Sequence, residues 1–226
     1  MPDFPFDLVG FDLDGTLADS SADLAAAVNH VLASLGAPPL AVEQVRRNIG
    51  GGGQRMLARS LADSGMTAPN PLDSLYDRMI DYYTVHIADE TRPYPGVTDT
   101  LAMLSEAGVK LAVVTNKGEQ LAARLLDALG LADRFTTVIG GDSVAKGKPA
   151  PDPLIEMLRR CAADRAAFVG DSEFDIAAAK ATRLPCVAVS YGYPGKPVTE
   201  LGADAVIDDF GALPEALRAI AIQTGR

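Results

Sequence analysis

The residues with the clearest chemical potential are Asp12-Leu13-Asp14-Gly15-Thr16-Leu17, which close a short apolar run. In an extended segment alternate side chains point the same way, so Asp12 and Asp14 can serve one site. Gly15 lets the backbone turn and approach a ligand closely. An Asp-x-Asp pair alone says little, because turns are rich in Asp. The apolar run before it and Gly-Thr after it give it meaning. Other polar groups follow other apolar runs: Thr115-Asn116 after Leu111–Val114, Lys148-Pro149 in the loop after Val138–Ile139, and Asp171 and Asp175 after Phe168-Val169-Gly170. Singly, each has a plain structural explanation. Thr115-Asn116 fits a helix N-cap, Lys148 a solvated loop lysine, and Asp175 a first-turn helix residue favoured by the dipole. Their joint placement at one edge of a sheet is hard to ascribe to chance.

Phosphoryl transfer needs these groups. A carboxylate nucleophile, Asp12, divides the reaction into two displacements through a mixed anhydride. The charge on nucleophile and phosphate calls for a hard cation with oxygen ligands; Asp12 and Asp171 can supply carboxylates to Mg²⁺. Lys148 offers a point charge and Thr115 a hydroxyl donor to the phosphate. Asp14 is then free to act as general acid on the leaving oxygen and as base for water.

The elements that must position these residues follow from the hydrophobic pattern. Short runs recur at Phe6–Phe11, Val109–Val114, Thr137–Ile139, Ala167–Val169, Cys186–Val189 and Ala205–Ile207. They are nearly continuous in apolar residues, as expected of strands covered on both faces. Helical periodicity separates them, as over Thr98–Ala107 and Gln120–Leu129, which stop at Gly108 and Gly130. This alternation predicts an α/β fold with a Rossmann-like parallel sheet flanked by helices. From about Ser20 to Arg92 the periodicity is helical throughout, in stripes around Leu24–Leu35, Met56–Leu61 and Leu72–Tyr83, until Pro93-Tyr94-Pro95-Gly96 turns the chain back. The expected organisation is an α/β core of residues 1–19 and 93–226, with a small all-helical cap of residues 20–92 inserted after the first strand. Gly50-Gly51-Gly52-Gly53 lacks the Lys-Ser/Thr of a nucleotide loop. It reads as a cap loop over the site, with Arg55 a candidate substrate contact, or equally as a linker between cap helices.

The bulk composition bounds the partners. The 226 residues are 48% hydrophobic and 22% charged, an ordinary globular balance, and the formal net charge is −10. Such a field repels nucleic acid and anionic lipid, and no Lys/Arg run offsets it. Cys161 and Cys186 lie far apart with no His at metal-ligand spacing, which predicts two buried thiols in a reducing compartment. No secretory signal or span-length apolar segment stands out. The expectation is a cytoplasmic protein, monomer or homodimer, acting on a small phosphorylated substrate.

Asp12-Leu13-Asp14-Gly15-Thr16, Thr115-Asn116, Lys148-Pro149 and Gly170-Asp171-Ser172-Glu173-Phe174-Asp175 resemble, in order, the four signatures of the haloacid dehalogenase superfamily of phosphatases. The resemblance spans roughly residues 6–210. It implies Asp12 as nucleophile and Asp14 as acid/base that also gives Mg²⁺ its backbone carbonyl. It further implies Asp171 completing the metal site with Asp175 in support, and a helical cap that closes over substrate. Within the superfamily, Phe11–Leu17 with Asp19-Ser20, Tyr82–His86 leading to Thr91–Val97, Lys148–Leu154 and Tyr191-Gly192-Tyr193 are most similar to the phosphoglycolate phosphatases. Related pyrophosphatases and sugar-phosphate phosphatases share most of these. Ala181-Thr182-Arg183 departs from the usual Ala-Ala-Gly and puts that helix end in question. Phosphomutase chemistry uses the same groups, but mutases of the superfamily often carry Val where this chain has Thr16. A receiver-type signalling module would have no helical cap, and a silent phosphate-binding protein would have lost one of the groups present.

Overall fold

The computed structural model describes residues 4–69 and 71–224. Six parallel strands form the central sheet: β1 (Leu8–Phe11), β4 (Lys110–Val114), β5 (Thr137–Ile139), β6 (Ala166–Gly170), β7 (Cys186–Val189) and β8 (Ala205–Ile207), in spatial order β5-β4-β1-β6-β7-β8. The six apolar runs of the sequence are these six strands. β1 therefore lies at the centre, between β4 and β6, and its four residues are all buried.

Alternation along the strands sorts the core into two layers. Val9, Phe11, Val113, Val169 and Val187 join one cluster with α5 (Val97–Glu106), α6 (Glu119–Ala128) and α9 (Leu213–Thr224). Leu8, Ala112, Val114, Phe168 and Cys186 join the other with α7 (Asp152–Cys161) and α8 (Glu173–Ala181). Covered on both faces, the strands have no use for polar alternation, which is why they read as unbroken apolar runs. Both cysteines are free and buried, and burial pushes the Cys186 thiol up to about 11.

The stretch of helical periodicity holds four helices: α1 (Ser21–Ser34), α2 (Val42–Arg46), α3 (Gly53–Asp63) and α4 (Asp73–Val85). The sequence stripes identify α1, α3 and α4; the five-residue α2 is too short to show a period. The stripes Leu24, Val28, Val31 and Leu32, Met56, Leu57 and Leu61, and Met79 and Tyr83 merge with the cluster on the Phe11 face of the sheet. The two ends of this insertion meet in a ribbon absent from the sequence reading, β2 (Ala18–Asp19) against β3 (Arg92–Pro93), antiparallel. Two-residue strands leave no periodic signal.

Asp23 on α1 fastens the ribbon. It is 3% exposed, and it accepts from the backbone N–H of Glu90 (3.1 Å), the N–H of Thr91 (2.9 Å) and Thr91 Oγ1 (2.6 Å). At the questioned helix end, Arg183 adopts φ +57°, the left-handed conformation glycine prefers, while Leu184 N–H donates to Ala179 O at 2.9 Å. The turn that closes α8 is thus kept with an arginine, at a conformational cost of about 1 kcal/mol.

Asp23→Ala leaves two buried donors on Thr91 and a partly buried one on Glu90 without their acceptor. It should lower stability by about 3 kcal/mol, read as a fall in the urea midpoint at unchanged slope. A midpoint within error of the parent would show that water replaces the carboxylate.

Candidate active site

The three central strands end side by side, and each delivers one polar residue just past its last apolar one. Asp12 follows β1, Thr115 follows β4 and Asp171 follows β6. Backbone bonds carry the ladder one step further, Asp12 N–H to Val169 O and Thr115 N–H to Ile139 O, both 2.9 Å. Ligands of open α/β sheets bind at this carboxyl edge.

Asp12, Asp171 and Asp175 bring carboxylate oxygens within 4.8 Å of one another, all buried. Lys148 enters from the loop after β5. Its Nζ lies 2.9 Å from Asp12 Oδ1 and donates to Asp175 Oδ1 (2.6 Å) and Val114 O (2.7 Å). Burial opposes the charge on Lys148, but Asp12 and Asp175 outweigh it and hold the ammonium above its ordinary range. Burial pushes Asp12 up to about 7, against the pull of Lys148, and pushes Asp171 well above the usual carboxylate range, with Asp175 and Asp12 adding to it. Asp12 Oδ1 sits at ion-pair distance from Lys148 Nζ and has no other partner among the described residues. Three buried carboxylates, one with an oxygen whose partner is the Lys148 ammonium alone, offer oxygen ligands of the kind a hard divalent cation takes.

The remaining partners show which oxygens are already engaged. Asp171 accepts from Thr16 Oγ1 (3.0 Å) and from Tyr193 N–H (2.6 Å). Asp175 takes Lys148 on one oxygen and Ser172 N–H (3.0 Å) and Oγ (2.6 Å) on the other, capping α8. Gly15 has φ +86°, and a Cβ there would stand 2.5 Å from Asp171 Oδ2, so only glycine fits the turn. The Tyr191-Gly192-Tyr193 segment lies against the same carboxylate: Tyr191 Oη donates to Thr16 O (3.1 Å), and Tyr193 Oη donates to Asp19 (2.6 Å).

Asp14 faces the cavity side. Its Oδ1 accepts from Ser20 Oγ (2.5 Å) and lies 3.0 Å from Lys117 Nζ, which also donates to Tyr83 Oη on α4 (2.9 Å). Asn116 lines the same cavity, with its side-chain amide already engaged. Its Nδ2 bridges Gly50 O and Lys148 O, both at 2.9 Å, tying the glycine run to the lysine loop. The glycine run lies over the site: Gly50, Gly52 and Gly53 line one cavity with Asp12, Asp14, Thr115, Lys117 and Tyr83. Arg55 stands at the outer rim, exposed, with its guanidinium 5.1 Å from the Phe174 ring centre. The structure thus brings Asp12, Asp14, Thr115, Lys148, Asp171 and Asp175 together, with Asn116 lining the same cavity and Arg55 at the outer rim. Sequence reasoning missed Lys117, Tyr83 and Ser20. Lys117 carries one signal, its place directly after Thr115-Asn116, but its burial comes from α4, which lies elsewhere in the chain.

The model of the haloacid dehalogenase-like hydrolases matches residues 9–189, four-fifths of the chain. The chain belongs to that family. Relatives of the haloacid dehalogenase-like hydrolases include the phosphoglycolate phosphatase of Agrobacterium fabrum, 41% identical over 210 residues that cover 92% of this chain and 90% of the relative. The phosphoglycolate phosphatase of Caulobacter vibrioides is 41% identical over 215 residues, 92% of this chain and 89% of that one. Among solved structures, a predicted phosphoglycolate phosphatase from Haemophilus somnus superposes with a TM-score of 0.87 at 32% identity, covering 93% of this chain and 97% of that one. Hydrolysis of a phosphoester fits the groups assembled here.

Adding a divalent cation should raise the melting temperature of this hydrolase by about 5–10 °C at a hundredfold excess over its Kd. Asp171→Asn should abolish the rise while the protein stays folded by circular dichroism. An equal rise in parent and variant would place the cation elsewhere.

Proposed function

We propose that this chain hydrolyses 2-phosphoglycolate to glycolate and phosphate through an aspartyl-phosphate on Asp12. The observation that carries the reading is Asp12 itself, buried at the end of the central strand, paired with Lys148 and beside two further carboxylates. The phosphoglycolate phosphatase names of relatives at 41% identity support the substrate. Asp12, Asp171 and the backbone carbonyl of Asp14 would hold Mg²⁺, with Asp175 acting from behind through Lys148 and Ser172. The cation would offset the charge of the nucleophile and the phosphoryl oxygens.

An Asp12 carboxylate oxygen attacks phosphorus, and the bond from phosphorus to the glycolate oxygen breaks. Asp14 gives its proton to that oxygen. Asp14 then takes a proton from water, the water oxygen attacks phosphorus, and the Asp12–phosphorus bond breaks to release phosphate. Thr115 and Lys148 fix the phosphoryl group, and Ser20 and Lys117 orient Asp14. Residues 20–92 act as the cap that keeps solvent from the anhydride, with Asn116 linking its glycine run to the catalytic lysine loop and Arg55 at its entrance. The free thiols suit a reducing compartment, and we place the protein in the cytoplasm.

A panel of small phosphomonoesters tests this directly. 2-Phosphoglycolate should rank among the best substrates, turnover should require Mg²⁺, and Asp12→Asn should lower kcat by at least about 10³-fold. Full turnover by the folded Asn variant would remove the nucleophile, and a poor rank for 2-phosphoglycolate would remove the substrate.

A further inference from the structure

Lys117 and Tyr83 form a pair whose bonding is incomplete. The Lys117 side chain is only 6% exposed, and its ammonium carries three N–H donors. The described residues give it two acceptors, Asp14 Oδ1 at 3.0 Å and Tyr83 Oη at 2.9 Å. Tyr83, 2% exposed, spends its oxygen on Lys117, and its own O–H meets no acceptor among the described residues. Buried donors of this kind are seldom left open unless a ligand completes them. Both residues line the cavity that also holds Asp12, Asp14 and Thr115, and Lys117 is the only cation among its lining residues. The rest of that wall is largely apolar, including Leu24, Ile49, Met56, Met79 and Leu121. For a substrate's second anionic group entering there, Lys117 is the one cationic partner among those lining residues.

We propose that Lys117 Nζ and Tyr83 Oη form the seat for the carboxylate of the substrate, one donor to each oxygen, while the phosphoryl group lies on Asp12. This rests on the phosphoglycolate reading and deepens it by assigning the residues that select for a carboxylate at the far end. Lys148 cannot take that part, since its three donors are turned to Asp12, Asp175 and Val114 O. Arg55 is solvent-exposed and engaged with Phe174 at the rim. The seat draws one residue from the loop after β4 and the other from α4, so it exists only where the inserted helices meet the sheet edge. A substrate that binds both donors holds the two together. A phosphomonoester of the same size without the carboxylate does not.

The test compares 2-phosphoglycolate with its carboxamide, 2-phosphoglycolamide, which keeps the phosphoryl group and the alkoxide and loses the second charge. The parent protein should prefer the carboxylate by about 100-fold in kcat/KM. Lys117→Met should bring that preference to within about threefold, with the loss falling chiefly in KM, and Tyr83→Phe should cut it by about tenfold. The ratio is the quantity read, because Lys117 also touches Asp14 and its loss can slow both substrates alike. If Lys117→Met does not fold, Tyr83→Phe decides by the same ratio. A parent without preference overturns the phosphoglycolate reading and the seat together. A parent that prefers phosphoglycolate, with an unchanged ratio in the folded variants, overturns the seat alone. A ratio that survives both changes and collapses in Arg55→Met moves the anion to the rim and overturns the seat as well.

Discussion

Three carboxylates and one ammonium share a space from which water is excluded. Asp12, Asp171 and Asp175 lie within a few ångströms of one another, and burial, with neighbouring carboxylates adding to it, raises Asp12 and Asp171 above the usual carboxylate range. Like charges so placed are stable only if their surroundings hold them there. Much of the neighbouring structure does so. Thr16 and Tyr193 hold Asp171, Ser172 holds Asp175, and Lys148 lies between Asp175 and Asp12. The parallel sheet brings the three strand ends into register, and Gly15 keeps its turn clear of Asp171. An arrangement that carries surplus negative charge at rest is suited to binding a cation and, through it, a phosphate.

The polar framework around this cluster is graded. Groups nearest the sheet are fully bonded, as Asp175 and Lys148 are. Groups facing the inserted helices are not, as with Lys117 and Tyr83. Fully bonded groups fix geometry, while incompletely bonded ones await a ligand. The catalytic edge is therefore built before substrate arrives, and the end that meets the rest of the substrate is completed by it.

Much of the molecule could be read from the chain. Every central strand announced itself because both of its faces are covered, and the carboxylates were visible because they stand at the ends of such strands. Asp12, Asp14, Thr115, Lys148, Asp171 and Asp175 do meet, as their spacing on alternating elements implied. The ribbon of Ala18–Asp19 with Arg92–Pro93 escaped because two residues carry no period. Lys117 escaped because a lysine after a strand looks the same whether solvent or a helix covers it. Its environment is set by Tyr83, 34 positions away and in another element. Asn116 spends its side-chain amide on Gly50 O and Lys148 O, partners that no spacing in the sequence reveals.

The ribbon also bears on how such a protein changes over time. Its paired residues place the departure and the return of the inserted helices on adjacent positions, Ala18 beside Pro93 and Asp19 beside Arg92. The ribbon closes these helices off at their base, and Asp23 on α1 holds that closure from within. Helices can be lengthened, shortened or exchanged there without disturbing the order of the strands or the carboxylates at their tips. Under the proposed mechanism, the helices that would meet the substrate can therefore vary while the strand ends that carry the carboxylates keep their places.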